Sequence, residues 1–102
     1  MRENGFVCYT VYNYAIKPER MASVADYLMR ANQGLHNGNF ELDYENEVFS
    51  YKTYVPCYDP PHRKAVADCF TMAKNVLLYY IDGLVDVTMG KPPAEAIAEA
   101  EA

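Results

Sequence analysis

From Phe6 to Ala15 apolar and aromatic residues follow one another almost without a break. Val7, Tyr9 and Val11 alternate with Phe6, Cys8, Thr10 and Tyr12. Both faces of such a run are apolar, which predicts a β-strand covered on two sides or central in its sheet. A helical period follows: Met21, Val24, Ala25, Leu28, Ala31 and Leu35 share one face at about 100° per residue, with Asn32 in the middle of it. Pro18 and Glu19 suit the opening turn, the first because its missing N–H costs nothing there, the second because it meets the positive end of the helix dipole. Gly34 is the expected C′ residue of this helix, in the left-handed conformation.

The period then falls to two. Phe40, Leu42 and Tyr44 alternate with Asn39, Glu41 and Asp43; Phe49, Tyr51, Thr53 and Val55 alternate with Val48, Ser50, Lys52 and Tyr54. Two half-buried strands, Asn39–Tyr44 and Val48–Val55, fit this pattern. A tight turn at Asn46 and Glu47 would set Tyr44 opposite Phe49 and Leu42 opposite Tyr51. Glu41 would then face Lys52 as an opposite-charge pair.

Pro56 to Pro61 is the expected loop, with Asp59 as N-cap of a long helix. Ala65, Val66, Cys69, Phe70, Ala73, Val76, Leu77, Tyr80 and Leu84 form its broad apolar face. Tyr79 borders that face, and Leu78, Val85 and Met89 lie towards the polar side. Apolar residues so placed predict a partner contact at these four positions. Gly83, inside the core face, marks a kink or the close approach of another backbone. Gly90 ends the helix. Pro92 and Pro93 open a short one that runs out in residues 98–102, an alanine and glutamate tail expected to fray.

The 102 residues allow one domain, 1–102, and 51% hydrophobic content makes it globular. Ten tyrosines without a tryptophan suggest rings that span core edge and surface. A net charge of −5 without a basic stripe argues against nucleic acid and anionic membranes as partners. No membrane-length apolar run and no signal-peptide pattern is present, so a cytoplasmic protein is expected. Three cysteines, an odd number far apart in sequence, point to free thiols.

Catalytic chemistry finds little to use. Cys8, Cys57, Cys69, His36 and His62 show no metal-ligand spacing, so no metal and no cofactor is expected. Cys57, His62 and Asp59 share a loop, a poor setting for a nucleophile and its base. Glu41, Asp43, Glu45 and Glu47 lack a calcium loop and fit a solvated strand face better. Asn32 is expected to satisfy loose backbone groups near the helix end. The expectation is a protein that is not an enzyme.

Asn32, Gly38, the run Asn39 to Asp43 with Phe40 and Leu42, and the strand after it resemble the YbjN family, bacterial sensory transduction regulators. The run Gly90 to Ile97 is similar to that family's ending, a glycine and a proline-led short helix. The likeness spans about Gly5 to Ile97. It implies an α+β fold like that of type III secretion chaperones: a small antiparallel sheet with helices on one face, truncated on the N-terminal side. It also implies a non-catalytic protein-binding role as adaptor, regulator or chaperone. A small-molecule sensor with an aromatic-lined pocket between sheet and helix is the alternative. Open strand edges and the outward residues of the long helix predict a homodimer.

Overall fold

The computed structural model describes residues 3–12, 14–58 and 63–102. Asp59 to His62, with the expected N-cap, lie outside them. The fold is α+β. Strands β1 (Glu3–Tyr12), β2 (Asn39–Asp43) and β3 (Val48–Tyr58) form an antiparallel sheet in the order β1-β3-β2. A 3-10 turn at Pro18–Arg20 leads into α1 (Met21–Gly34); α2 (Arg63–Thr88) and α3 (Pro93–Ala100) complete the chain.

Strand β1 is an edge strand, not a central one, and it pairs only with β3. Its two apolar faces have different fates. Tyr12 packs against the core, whereas Val7, Tyr9 and Val11 point outward and stay exposed. The strand also ends at Tyr12, short of the expected Ala15. The chain then turns, burying Ile16 and sending its N–H to the Glu47 carbonyl at 3.0 Å. Strand β3 runs on to Tyr58, through residues expected as loop. Beyond Lys52 it is paired on the β1 side alone, so Pro56 needs no second partner there.

The hairpin forms, but its register differs by two residues. Phe40 lies opposite Tyr51 and Leu42 opposite Phe49. The turn takes four residues, 44–47, because Asp43 builds it. Its Oδ1 accepts the Glu45 and Asn46 N–H groups at 3.0 and 3.1 Å, and its Oδ2 accepts the Asn46 amide at 2.8 Å. Glu47, not Asn46, adopts positive φ (57°). An even shift keeps every side chain on its face. Glu41 and Lys52 still pair, now diagonally, at 3.4 Å.

The core fills the space between the sheet and the helices. Val24, Leu28 and Ala31 of α1 meet Phe40, Phe49 and Tyr51 of the sheet and Ala73, Tyr80, Leu84 and Val87 of α2. The most informative core residue is Tyr27, which the helical pattern left out although it is 0% exposed. Its ring lies over Gly83, where any Cβ would collide with it. Its hydroxyl donates to the Tyr80 carbonyl at 2.7 Å. Gly83 therefore admits a ring, where a kink or a second backbone was expected.

Three further expectations are corrected. Phe70 and Val66 are exposed, because Cys69 and Ala73 take the sheet-facing line of α2 and turn Phe70 outward. Gly34 stays helical, and Leu35, extended, sends its N–H back to Asn32 at 3.3 Å. The left-handed helix end is instead at Gly90 (φ 109°). Gly90 N–H bonds to Val87 and Lys91 N–H to Asp86, both at 3.0 Å, closing the last turn of α2. Finally, the tail is docked rather than frayed. Residues 98–100 complete α3, Lys91 pairs with Glu99, and Tyr80 donates to Glu101 Oε2 at 2.8 Å.

Candidate interaction surfaces

Asn32 is the residue that ties α1 to the sheet. Its Oδ1 accepts the Phe40 N–H at 2.6 Å and its Nδ2 donates to the Phe40 carbonyl at 3.1 Å. Both backbone groups of Phe40 turn away from β3, so the amide takes the place a further strand would hold. The side chain thus serves the start of β2 rather than the last turn of its own helix. Gly38 supports the same junction with φ at 72°; a Cβ there would lie 2.5 Å from the Lys52 carbonyl. Tyr51, beneath it, donates to the Asn37 carbonyl at 2.6 Å. Of the resemblance residues, Asn32, Gly38, Phe40 and Leu42 gather here, with Phe40 in the core and Leu42 packed against it. Gly34 lies apart, against Glu101 and the Tyr80 hydroxyl.

The buried tyrosines carry most of the shifted acidity. Burial, then the Tyr51 ring, pushes Tyr12 up to about 12, while its hydroxyl donates to the Ala73 carbonyl at 2.9 Å. Burial raises Tyr27 further, helped by Glu101, Asp86 and Asp82. Burial also raises Tyr80, followed by its hydrogen bond to Glu101. These phenols stay protonated and act as donors.

Two of the three thiols are described. Cys8 and Cys69 are free. Cys69 is pushed up to about 12 by burial and then by its hydrogen bond with Cys8. The Cys57 side chain, His62 and Asp59 lie outside the described residues. His36 is exposed, and among the described residues no three His, Cys, Asp or Glu side chains are grouped to hold a metal. Glu41 serves Lys52 and Asp43 serves the turn.

What remains among the described residues is exposed apolar surface, most of it in two places. On α2 the four expected contact residues Leu78, Tyr79, Val85 and Met89 are all exposed, and Phe70 and Val66 extend them towards the helix start. Leu78, Val85 and Met89 lie on the side turned away from Tyr80 and Leu84. Tyr79 sits round the helix beside Asp82 and Asp86. The second surface was not foreseen: Val7, Tyr9 and Val11 of β1 with Tyr54 of β3, on the outward side of the sheet. The signal for it was present in the tyrosines at Tyr9 and Tyr54, whose parity is opposite to that of Tyr12, Phe49 and Tyr51.

Recesses follow the same division. One of about 420 Å³ is lined by Leu35, Val76, Tyr79, Tyr80 and Glu101, between the end of α1, α2 and the tail. One of about 190 Å³ lies between α1 and β2, at Leu28, Asn32, Phe40 and Tyr44. A third, about 580 Å³ and open, lies on the outward side of the sheet at Tyr9, Val11, Ser50 and Tyr44. No helix among the described residues is long and apolar enough to cross a membrane.

No family model, curated protein or solved structure matches the chain.

Proposed function

We propose that the chain is a non-catalytic protein-binding module, acting as an adaptor, regulator or chaperone-like subunit. The observation that carries this reading is the outward side of α2. Phe70, Leu78 and Met89 are each more than 60% exposed along one helix of a small fold. Exposed large apolar side chains on one side of a helix, as Leu78, Val85 and Met89 are, mark contact sites, since their contact with water is unfavourable. The resemblance to the YbjN family adds the expectation of a bacterial, cytoplasmic protein in sensory transduction with a chaperone-like fold.

A sensor of small molecules is the second reading, favoured by the recess of about 420 Å³ beside Tyr79 and Tyr80. One comparison separates the two. Affinity capture from source lysate is run with the parent chain and with Leu78→Glu, and both are screened for thermal shifts with a metabolite library. A protein retained by the parent and lost with Leu78→Glu, at equal melting temperature, supports the module. A metabolite that raises the melting temperature of both chains equally, with no protein lost, supports the sensor.

A further inference from the structure

We propose that Cys8 and Cys69 form a disulfide site, which a peroxide closes and a thiol reopens, stapling the edge strand β1 to α2. The pair lies on the core side of the sheet, away from the contact surfaces of the protein-binding reading.

The way β1 lies on α2 brings the two sulfurs together. Tyr12 and Ala73, 61 positions apart in sequence, mark the contact: the Tyr12 hydroxyl donates to the Ala73 carbonyl at 2.9 Å. Four residues earlier on each element stand Cys8 and Cys69. Four residues on a strand keep the same face, and four on a helix return to the same side. The two thiols are hydrogen-bonded to each other. Cα atoms of β1 and α2 approach within 8 Å, and a disulfide spans about 4.4–6.8 Å between Cα atoms. Closing the bond therefore asks for a small approach of strand and helix, not a rearrangement.

The surroundings hold the pair in place. Both cysteines stand inside regular elements, so the packing of helix on sheet sets their separation. Cys8 lies opposite Thr53 in the ladder, and Thr53 and Cys69 are 4% and 2% exposed. Burial and then Cys69 raise the Tyr51 phenol, which puts Cys69 near β3 as well as β1. The two sulfurs differ in access: Cys8 is partly exposed, whereas Cys69 is buried.

That difference assigns the steps. The Cys8 sulfur, having given its proton to water, attacks the O–O bond of hydrogen peroxide. An S–O bond forms, the O–O bond breaks and hydroxide leaves, which makes Cys8 a sulfenic acid. The Cys69 sulfur then attacks the Cys8 sulfur. The S–S bond forms, the S–O bond breaks, and the departing oxygen takes the Cys69 proton and leaves as water. Two thiols lose two electrons and two hydrogens, and one peroxide becomes two waters. A dithiol reverses the change by exchange at the accessible Cys8 sulfur and departs as its own cyclic disulfide. The bond bears on stability because β1 is an edge strand, paired with β3 alone. A cross-link between residues so far apart in sequence restricts the unfolded chain strongly.

The intact chain, treated with hydrogen peroxide and then alkylated in denaturant without reductant, is mapped by mass spectrometry. The parent should lose two hydrogens and yield a cross-linked Cys8–Cys69 peptide from the monomer. Dithiothreitol should return all three thiols. The oxidised monomer should melt higher than the reduced one, by roughly 10 °C. Cys57→Ser should form the same cross-link, and Cys8→Ser should form none that includes Cys69. The parent's map needs no variant, so a variant that fails to fold leaves the test intact. A parent that keeps both thiols, a cross-link through Cys57 in their place, or Cys8 oxidised on to sulfinic acid with Cys69 still free would overturn the proposal. So would a Cys8–Cys69 bond that forms as fast in the urea-unfolded chain, or one that lowers the melting temperature.

Discussion

One amide decides how α1 meets the sheet. An asparagine in an apolar helical face is costly unless both ends of its amide are satisfied. Asn32 satisfies both on one residue, Phe40, which is also a core ring in edge-to-face contact with Phe49, Tyr51 and Tyr80. Asn32→Leu fits the helical pattern better yet leaves the Phe40 N–H and carbonyl without that partner. A loss of about 1–3 kcal/mol is expected. Urea unfolding measures it, and a midpoint at or above the parent's would show that water replaces the amide at no cost. The sequence made the polar residue conspicuous. It did not reveal its partner eight positions away, because that depends on where the loop after Gly34 places β2.

At the scale of elements, α2 and the hairpin show what periodicity can and cannot specify. Parity fixed the inward faces of both strands even where the register was wrong by two, since an even slip leaves faces unchanged. The turn escaped because its geometry comes from the Asp43 carboxylate rather than from the residues at its tip. That carboxylate is held below the usual range, first by the Asn46 side-chain hydrogen bond and then by the Asn46 backbone N–H. A depressed acid contributes stability that is present above its unfolded pKa, about 4, and is lost as pH falls through its lower folded value. The difference in melting temperature between the parent and Asp43→Ala should therefore be largest near neutrality and vanish towards pH 2. A constant difference would mean that the ionised form is not what holds the turn. On α2, Gly83→Ala sets two effects against each other. Helix propensity favours alanine by about 1 kcal/mol. Overpacking against the Tyr27 ring costs typically about 1–3 kcal/mol, and the ring cannot move without loosening its bond to the Tyr80 carbonyl. The clash should win, lowering the thermal midpoint; a higher midpoint would show that the ring has room to shift.

For the whole molecule, local patterns located the helices and strands, while contacts distant in sequence decided how they close. The edge position of β1 and the ring of Tyr27 over Gly83 join residues more than 35 positions apart, and the tail docks through Tyr80 and Glu101, 21 positions apart. None leaves a local period to follow. The candidate contact surface divides in the same way: the exposed residues of α2 follow from its period, whereas the outward side of the sheet, signalled only by the parity of Tyr9 and Tyr54, is exposed because the helices pack on the other side. The tail gives the sharpest test of this division, because its composition and its contacts point in opposite directions. Alanine and glutamate offer little to bury, yet Ala96 and Ile97 anchor α3 in the core, and Glu101 accepts the Tyr80 hydroxyl beside the end of α1. Removing residues 98–102 takes away that acceptor, the packing of Ala100 and the Lys91–Glu99 pair. Exposed ion pairs contribute little, so most of the effect should come from the partly buried Tyr80 hydroxyl and the shortened helix. The truncated chain should lose about 1–2 kcal/mol, and Glu101→Gln, which keeps a neutral acceptor, should lose less. Urea midpoints rank the three proteins. A truncated chain as stable as the parent would mean that α3 ends in solution at Ile97, as its composition alone suggests.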